Sequence, residues 1–537
     1  MGRTRLGVIT DGAFNAGLTA RLDQDCSTES LRIGDFVVIE GDENTYFSMI
    51  ADMQLRATDA RLLSSPLSEA SPFVLNALAG TSTYATVQVK PMLMMAKDDA
   101  RKSPEELKGP QPVRTIPMHF AVLYAANQRD FTVVFGEEKD TKFAIGMPLT
   151  MDLPVCLQLD RFVERSSGIF GQSGTGKSFL ARVLLSGIIH TKCAANLIFD
   201  MHNEYAFDVQ TEEGTWVQGL RQLFGTHVVV YSLDAKASGR SGRQPDAILR
   251  IGLDQIEPED ILLLADELDL TPTAATTVGL LRDEFGSGWL QRLLAMSHSE
   301  LETFCDASSA HLGALEALQR KLREVGRQPY VVPEAPSDAF HHIVTSLENG
   351  KHVILQFGQH NRLLDYMLVA NIVTRQVREH YRRKVERFED TRDVADRPKP
   401  LVITIEEAHK FLNPAAARQT TFGTIARELR KFLVTLLVID QRPSGIDSEV
   451  LSQLGTRVTA KLTEESDIEA VLTGVGGRSF LRSAIESLNT KQEILVMGHA
   501  VPMPIQLRSR LFDKEFYRAV GGRTKRGAKP DIADLFN

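Results

Sequence analysis

The segment GQSGTGKS, from Gly171 to Ser178, is a complete GxxxxGK[ST] motif, and it decides the fold of the region around it. A short apolar run precedes it, and residues with the spacing of a helix follow it. In this strand–loop–helix context the glycines let the backbone wrap around phosphate groups, and the loop N–H groups face those phosphates. The motif therefore predicts a nucleotide-binding α/β domain.

Each position of the motif has an expected role. Lys177 is expected to bring positive charge to the β- and γ-phosphates, and Ser178 to bring a hydroxyl to Mg²⁺. ATP and Mg²⁺ are the expected ligands. The residues expected to bind the nucleotide are Gly171, Ser173, Gly174, Thr175, Gly176, Lys177, Ser178 and Phe179.

A second pattern, LVITIEEAHKF at residues 401–411, places two carboxylates directly after an apolar strand. In a parallel sheet, that end of the strand lies on the side where the phosphate-binding loop is found. Phosphoryl transfer needs one group to hold the metal and another to orient and deprotonate the attacking water. We assign Glu406 to the metal and Glu407 to the water, although adjacent glutamates in isolation are more often solvated.

Polar residues next to the following strand, VTLLVID, are further candidates. Gln441 follows the strand and could sense the γ-phosphate, or it could be an ordinary polar residue at a strand end. Arg427 and Arg430 lie three residues apart before the strand, on one face of a predicted helix. Either arginine could reach the γ-phosphate of a neighbouring subunit, unless both belong to a solvated basic face.

Asp200, His202 and Glu204 alternate after the strand ANLIF. This spacing is compatible with metal ligands, but we favour indirect contacts to magnesium and water.

The pattern of apolar and turn residues changes along the chain and divides it into segments. Residues 1–155 alternate short β-rich runs with turn residues, which predicts a small barrel or sandwich. Strands then alternate with helices, which predicts a mostly parallel sheet over residues 156–254 and 346–515. Residues 255–345 have apolar spacings of three and four, which predict a helical insertion. Residues 516–537 are expected to form a terminal linker that docks on a neighbour.

Net charge, the length of apolar runs and the spacing of cysteines exclude several classes of protein. The 537 residues carry a net charge of −8, so any contact with nucleic acid must be local and not spread over the surface. No apolar run reaches the 18 residues that could span a bilayer, and no secretory signal is found, so we expect a cytoplasmic protein without membrane contact. Four distant cysteines indicate neither a zinc site nor a disulfide framework.

The ordered set GQSGTGKS, IFDMHNEYA, ITIEEAHKF, ARELRKF and IDQRPSGIDSEVLSQLGTRV resembles the HerA family within the HerA and FtsK superfamily. The resemblance implies a RecA-like motor preceded by a HAS-barrel, and a homohexamer that encircles double-stranded DNA. It assigns Lys177 and Ser178 to the phosphates and Mg²⁺. The other residues that it carries over are Glu406 and Glu407 at the metal and water, Gln441 as sensor, and Arg430 or Arg427 as the arginine finger.

The same resemblance implies a partner, either a NurA-like nuclease in DNA end processing or a nuclease or NAD-hydrolysing effector in antiphage defence. The alternative to a translocase is an oligomeric scaffold whose nucleotide binding activates an effector. A third possibility is a conjugation-type or FtsK-type motor, which the absence of any apolar run long enough to span a membrane disfavours. Lys410, Arg418 and Gln419 are the residues expected to face DNA in the pore.

Overall fold

The computed structural model describes residues 2–58, 82–97, 109–149, 151–210, 214–234, 244–308, 310–335, 339–360, 362–418 and 420–521. The chain forms two compact units. The first contains Met1–Phe162, Phe170–Lys177 and Gly455–Arg510, and the second contains Val163–Ile169, Ser178–Leu454 and Leu511–Asn537.

The strands, in chain order, are β1 (Arg5–Ala13), β2 (Gly17–Leu22), β3 (Phe36–Glu40), β4 (Asn44–Ala57), β5 (Thr83–Ala96), β6 (Gln111–Pro112), β7 (Val122–Ala125), β8 (Lys142–Pro148), β9 (Val155–Gln158), β10 (Ser167–Phe170), β11 (Ala195–Asp200), β12 (Val209–Gln210), β13 (Trp216–Val217), β14 (Val228–Ser232), β15 (Ala247–Ile248), β16 (Ile251–Gly252), β17 (Val331–Val332), β18 (His352–Gln356), β19 (Leu401–Glu406), β20 (Val434–Asp440), β21 (Thr456–Thr459), β22 (Glu493–Gly498) and β23 (Ile505–Ser509).

The α-helices are α1 (Gln128–Phe135), α2 (Leu159–Glu164), α3 (Lys177–Thr191), α4 (Leu220–Phe224), α5 (Pro258–Leu262), α6 (Ala274–Phe285), α7 (Trp289–Ala295), α8 (His298–Ser308), α9 (Leu312–Gly326), α10 (Ala339–Glu348), α11 (Leu363–Thr391), α12 (His409–Leu412), α13 (Thr421–Glu428), α14 (Ser448–Gln453), α15 (Glu465–Val471), α16 (Arg478–Glu486) and α17 (Lys514–Ala519).

The first unit begins with a closed barrel of six strands in the order β2-β1-β7-β3-β4-β5, which a β2–β5 pairing completes. Alternate residues of β2 point inward, because side chains alternate between the two faces of a strand. The barrel is filled by apolar side chains that include Ile39, Ile50, Val87 and Leu123. The β-barrel predicted for the N-terminal region is confirmed.

The first unit also contains an antiparallel sheet in the order β21-β22-β23-β8-β9. The sequence predicts a mostly parallel sheet for residues 346–515. The structure corrects this for β21 and β22, which pair antiparallel with each other. Apolar runs of this length do not encode strand direction, since both kinds of ladder bury such residues.

The second unit has a parallel sheet in the order β15-β14-β18-β11-β19-β20, and β10 lies beside β20. All residues of β11, β18, β19 and β20 are buried. Strands covered on both faces read as continuous apolar runs, which is why the sequence located them to within one or two residues. The α/β domain with a mostly parallel sheet that the sequence predicts is confirmed for this unit.

Helices occupy much of residues 258–326, the region where the sequence predicted a helical insertion. The Trp289 side chain is fully buried there, and its Nε1 donates to the Ile256 carbonyl at 3.0 Å. The Asp260 carboxylate joins α5 to α11, because Asn371 Nδ2 and Arg375 Nη2 both donate to it, at 2.7 and 2.6 Å.

Among the described residues, no helix combines the length and apolar character needed to cross a membrane. The predicted terminal segment is described only to Gly521, and residues 522–537 lie outside the described part of the chain.

Candidate active site

The phosphate-binding motif forms a loop between β10, which ends at Phe170, and α3, which begins at Lys177. Gly174 and Gly176 have φ angles of +78° and +89°, a region that residues with a Cβ atom rarely adopt. Thr175 Oγ1 and Lys177 Nζ both donate to the carbonyl of Gln172, at 2.8 and 3.0 Å. The loop is therefore held by its own side chains, and Lys177 is folded over the loop backbone.

Helix α3 continues the motif into the second unit. Ser178 is half-buried at its start, and the Phe179 ring is 38% exposed. The Arg182 guanidinium lies 5.4 Å from the centre of the Phe179 ring, and its Nη2 donates to the Glu204 carbonyl at 2.5 Å. Arg182 is itself buried, so the first turns of this helix are fixed to the segment that follows β11.

Four adjacent parallel strands end in buried polar residues: Gln356 on β18, Asp200 on β11, Glu406 on β19 and Asp440 on β20. The carboxyl ends of parallel strands meet at one edge of a sheet, so these side chains share that edge. Gln356 Nε2 donates to Asp200 Oδ2 at 3.2 Å, which pairs two of the four.

The Asp200 carboxylate organises the chain after β11. It accepts the backbone N–H of Glu204 at 2.7 Å and that of Tyr205 at 3.1 Å. Burial raises the pKa of Asp200, and these hydrogen bonds oppose the rise. His202 is exposed, and no cluster of three His, Cys, Asp or Glu side chains able to hold a metal occurs among the described residues. Asp200 therefore fixes a turn.

The Glu406 carboxylate is buried and asymmetric. Its Oε1 accepts the Tyr205 hydroxyl at 2.7 Å, whereas its Oε2 has no hydrogen-bond partner. Burial raises the pKa of Glu406 to about 8, and the nearby charges of Asp200 and Glu407 add to the rise. Burial without a partner disfavours the charged form of this carboxyl, and a bound cation would favour it. Glu406 therefore fits a magnesium ligand.

The Tyr366 hydroxyl fixes the backbone at the same position. It accepts the Glu406 N–H and donates to the Glu406 carbonyl, at 3.3 Å in each case. Tyr366 is fully buried. The end of β19 is therefore fixed through both its main chain and its carboxylate.

Glu407 turns away from the strand with a φ angle of +49°, which is unfavourable for a residue with a side chain. Its Oε1 accepts the Gln441 Nε2 at 3.0 Å. The structure therefore brings together two residues that the sequence singled out in separate segments.

A second contact joins the same two loops. His409 Nδ1 lies 3.0 Å from Asp440 Oδ2 and 3.8 Å from Glu407 Oε2. The hydrogen bond to the buried Asp440 carboxylate raises the pKa of His409. His409 therefore connects the loop after β19 to the end of β20.

The two predicted arginines are separated by the end of a helix. Helix α13 ends at Glu428 and Arg430 lies in the 3₁₀ turn Leu429–Phe432, so the two arginines are not on one α-helix as predicted. Arg427 Nη2 donates to the Ala417 carbonyl at 2.6 Å and its Nη1 lies 3.9 Å from Glu449. The side chain of Arg430 lies outside the described part of the chain.

The predicted pore residues are only partly described. Lys410 is half-buried in α12, whereas the Arg418 side chain and Gln419 lie outside the described residues.

Five residues of this edge have no role that the sequence predicts. One available signal was the rule that strand-end residues of a parallel sheet share an edge, which points to Gln356 and Asp440. No local pattern points to the tyrosines, since each reaches Glu406 from a distant segment. The residues without an assigned role are Tyr205, Gln356, Tyr366, His409 and Asp440.

Comparison with known proteins gives a consistent result. Residues 143–377 match the family described as "Helicase HerA, central domain". The DNA double-strand break repair helicase HerA of Saccharolobus solfataricus is 26% identical over 391 residues, which cover 70% of each chain. The protein of the same name from Sulfolobus acidocaldarius is 23% identical over 517 residues, covering 95% of this chain and 93% of that one.

Among solved structures, VirB4 of Thermoanaerobacter pseudethanolicus matches with a TM-score of 0.44 and 15% identity. The match covers 71% of this chain and 99% of that chain. The central-domain match lies across the phosphate-binding loop and the first strands of the parallel sheet, and the two HerA relatives extend over most of the sequence. The resemblance of this chain to the HerA family is therefore confirmed, through the family's central domain and the two HerA helicases.

Proposed function

We propose that this protein hydrolyses ATP with magnesium and uses the energy to move along double-stranded DNA. The observation that carries the proposal is the strand edge in the second unit. There the buried carboxylate of Glu406 has one oxygen without a hydrogen-bond partner, and the next residue, Glu407, accepts a hydrogen bond from Gln441. Phosphoryl transfer needs one group that holds the metal and a second group that orients the attacking water.

In this proposal the loop residues bind the nucleotide. The backbone N–H groups of the loop face the phosphates, and Lys177 binds the β- and γ-phosphate oxygens. Ser178 and Glu406 hold magnesium, which when bound supplies positive charge to the phosphate oxygens. The residues that line the nucleotide are Gly171, Ser173, Gly174, Thr175, Gly176 and Phe179.

Glu407 orients the attacking water and accepts its proton. Gln441 donates a hydrogen bond to that carboxylate, so a change at the γ-phosphate that moves Gln441 would also move Glu407. Glu407 is the better candidate for the base because it contacts Gln441. Glu406 is the better candidate for the metal ligand because it is buried and accepts a hydrogen bond from Tyr205.

We further propose that the motor is a homohexamer whose central channel binds DNA. A chain of net charge −8 repels DNA at long range, but a ring concentrates a few basic residues from each copy at one place. Lys410, Arg418 and Gln419 are candidates for that lining, and Arg430 or Arg427 for the arginine finger. The two HerA relatives are DNA double-strand break repair helicases, which favours a partner that processes DNA ends, such as a NurA-like nuclease. An antiphage nuclease or NAD-hydrolysing effector is the second candidate partner.

The test measures ATP hydrolysis with and without long duplex DNA, together with displacement of a triplex-forming strand from that duplex. A motor should show DNA-stimulated turnover and ATP-dependent displacement, and Lys177→Ala should lack both because ATP affinity falls. Nucleotide-dependent assembly with neither stimulation nor displacement would instead support a scaffold that activates an effector.

A further inference from the structure

The Tyr205 side chain is placed so that its hydroxyl controls the Glu406 carboxylate. The ring is fully buried, and the hydroxyl donates to Oε1 at 2.7 Å. Within the described part of the chain, no other donor reaches this carboxylate, because Oε2 has no partner. One oxygen is therefore fixed by a tyrosine, and the other is buried without a hydrogen-bond partner.

Tyr205 is itself fixed by its own segment. Its backbone N–H donates to Asp200 Oδ2 at 3.1 Å, and the preceding carbonyl, of Glu204, accepts from Arg182. The Arg182 guanidinium also lies 6.0 Å from the centre of the Tyr205 ring. A residue of helix α3 and the end of β11 therefore both determine where the tyrosine hydroxyl lies.

We propose that Tyr205 is a positioning residue that holds Glu406 with Oε2 directed to magnesium. The inference rests on the proposed function, since it concerns the metal ligand of that site. Residues that hydrogen-bond a metal ligand fix its orientation, and their loss typically lowers metal affinity about 10- to 100-fold. Removal of the hydroxyl should therefore change the dependence on magnesium and leave nucleotide binding by the loop intact.

The test compares Tyr205→Phe with the wild-type full-length chain. Binding of a fluorescent ATP analogue is titrated at zero and at increasing MgCl₂, and hydrolysis is measured over the same series. We expect the variant to bind nucleotide normally without magnesium, to need about tenfold more magnesium for the same gain in affinity, and to recover turnover at high magnesium.

Tyr330→Phe is the matched control. Tyr330 is equally buried and donates its hydroxyl to another buried carboxylate, Asp365 Oδ1, at the same 2.7 Å. The control loses the same atom from the same kind of contact, so it should lose similar stability while its magnesium dependence stays at the wild-type value. An equal shift in both variants would overturn the proposal, because the effect would then report general destabilisation.

A second measurement does not require Tyr205→Phe to fold. 3-Fluorotyrosine at position 205 keeps the hydroxyl, so the magnesium dependence should stay within about twofold of wild type while the ¹⁹F resonance reports the contact. That resonance should shift when magnesium is added to the nucleotide-bound protein, whereas the same label at Tyr330 should not shift. If the chemical shift of the ¹⁹F resonance at position 205 does not change when magnesium is added, the inference is overturned.

The behaviour of the wild-type chain distinguishes a failure of this inference from a failure of the proposed function. If wild type shows magnesium-dependent nucleotide binding and Tyr205→Phe shows the same dependence, only the role of Tyr205 is refuted. If wild type binds nucleotide without any effect of magnesium and does not hydrolyse it, the proposed function and the inference fall together.

Discussion

Replacement of Glu407 by glutamine is expected to separate ATP binding from hydrolysis. The side chain is 23% exposed, and its Oε1 accepts a hydrogen bond from Gln441. Glutamine has the same size and keeps an oxygen that can accept this bond. The weak ion pair with His409 at 3.8 Å is lost, which costs at most about 1 kcal/mol. The fold and the nucleotide-binding loop should therefore be unaffected.

The loss of rate follows from the loss of the base. Positioned general bases contribute about 10²- to 10⁴-fold, which corresponds to roughly 2.7–5.4 kcal/mol in the activation barrier. Glutamine cannot accept the proton of the attacking water at neutral pH. We therefore expect Glu407→Gln to retain roughly 1% of turnover or less, with ATP trapped on the protein.

The assay measures equilibrium binding of radiolabelled ATP and its single-turnover hydrolysis on the same preparation. Glu386→Gln is the matched control, because this glutamate is exposed on α11 and pairs with Arg382 at 2.7 Å. The control should show normal binding and normal hydrolysis. Turnover of Glu407→Gln within tenfold of wild type would refute the assignment of the base, and loss of ATP binding would refute the premise that its surroundings are unchanged.

Three further predictions concern the finger, the helical segment and acid stability. Arg430→Ala, or failing that Arg427→Ala, should lower hydrolysis by on the order of 10³ and spare ATP binding. Mixing the affected variant with Glu407→Gln subunits should partly restore activity, and no recovery after confirmed subunit exchange would indicate an arginine acting within its own subunit. Arg375→Met should lower the free energy of unfolding by about 3–5 kcal/mol in a urea titration, because it leaves the buried aspartate of α5 uncompensated; a loss below about 1 kcal/mol would contradict this. Burial lowers the pKa of His352 to about 3, so between pH 6.5 and 3 the unfolded chain binds a proton that the folded chain does not. Stability should therefore fall as the pH is lowered through that window, by about 2 kcal/mol between pH 6.5 and 5, and His352→Gln should remove that part of the slope. Identical pH slopes for wild type and variant would refute the assignment.

The sequence alone determined the parts of this protein that depend on short segments. The loop from Gly171 to Ser178 could be identified because positive φ angles at Gly174 and Gly176 require glycine locally. The buried strands could be found because a strand covered on both faces must be apolar throughout. Glu406 was located for the same reason, as the last residue of such a strand.

Only the tertiary structure decided which distant residues meet. The Tyr205–Glu406 contact joins positions 201 residues apart, and the contact between Gln356 and Asp200 joins positions 156 residues apart. Both depend on the order and register of parallel strands, which apolar runs do not encode because any such run can pair with any other. The sequence alone therefore located the Glu406 carboxylate. The order of the strands determined that Tyr205 holds one of its oxygens while the other has no hydrogen-bond partner.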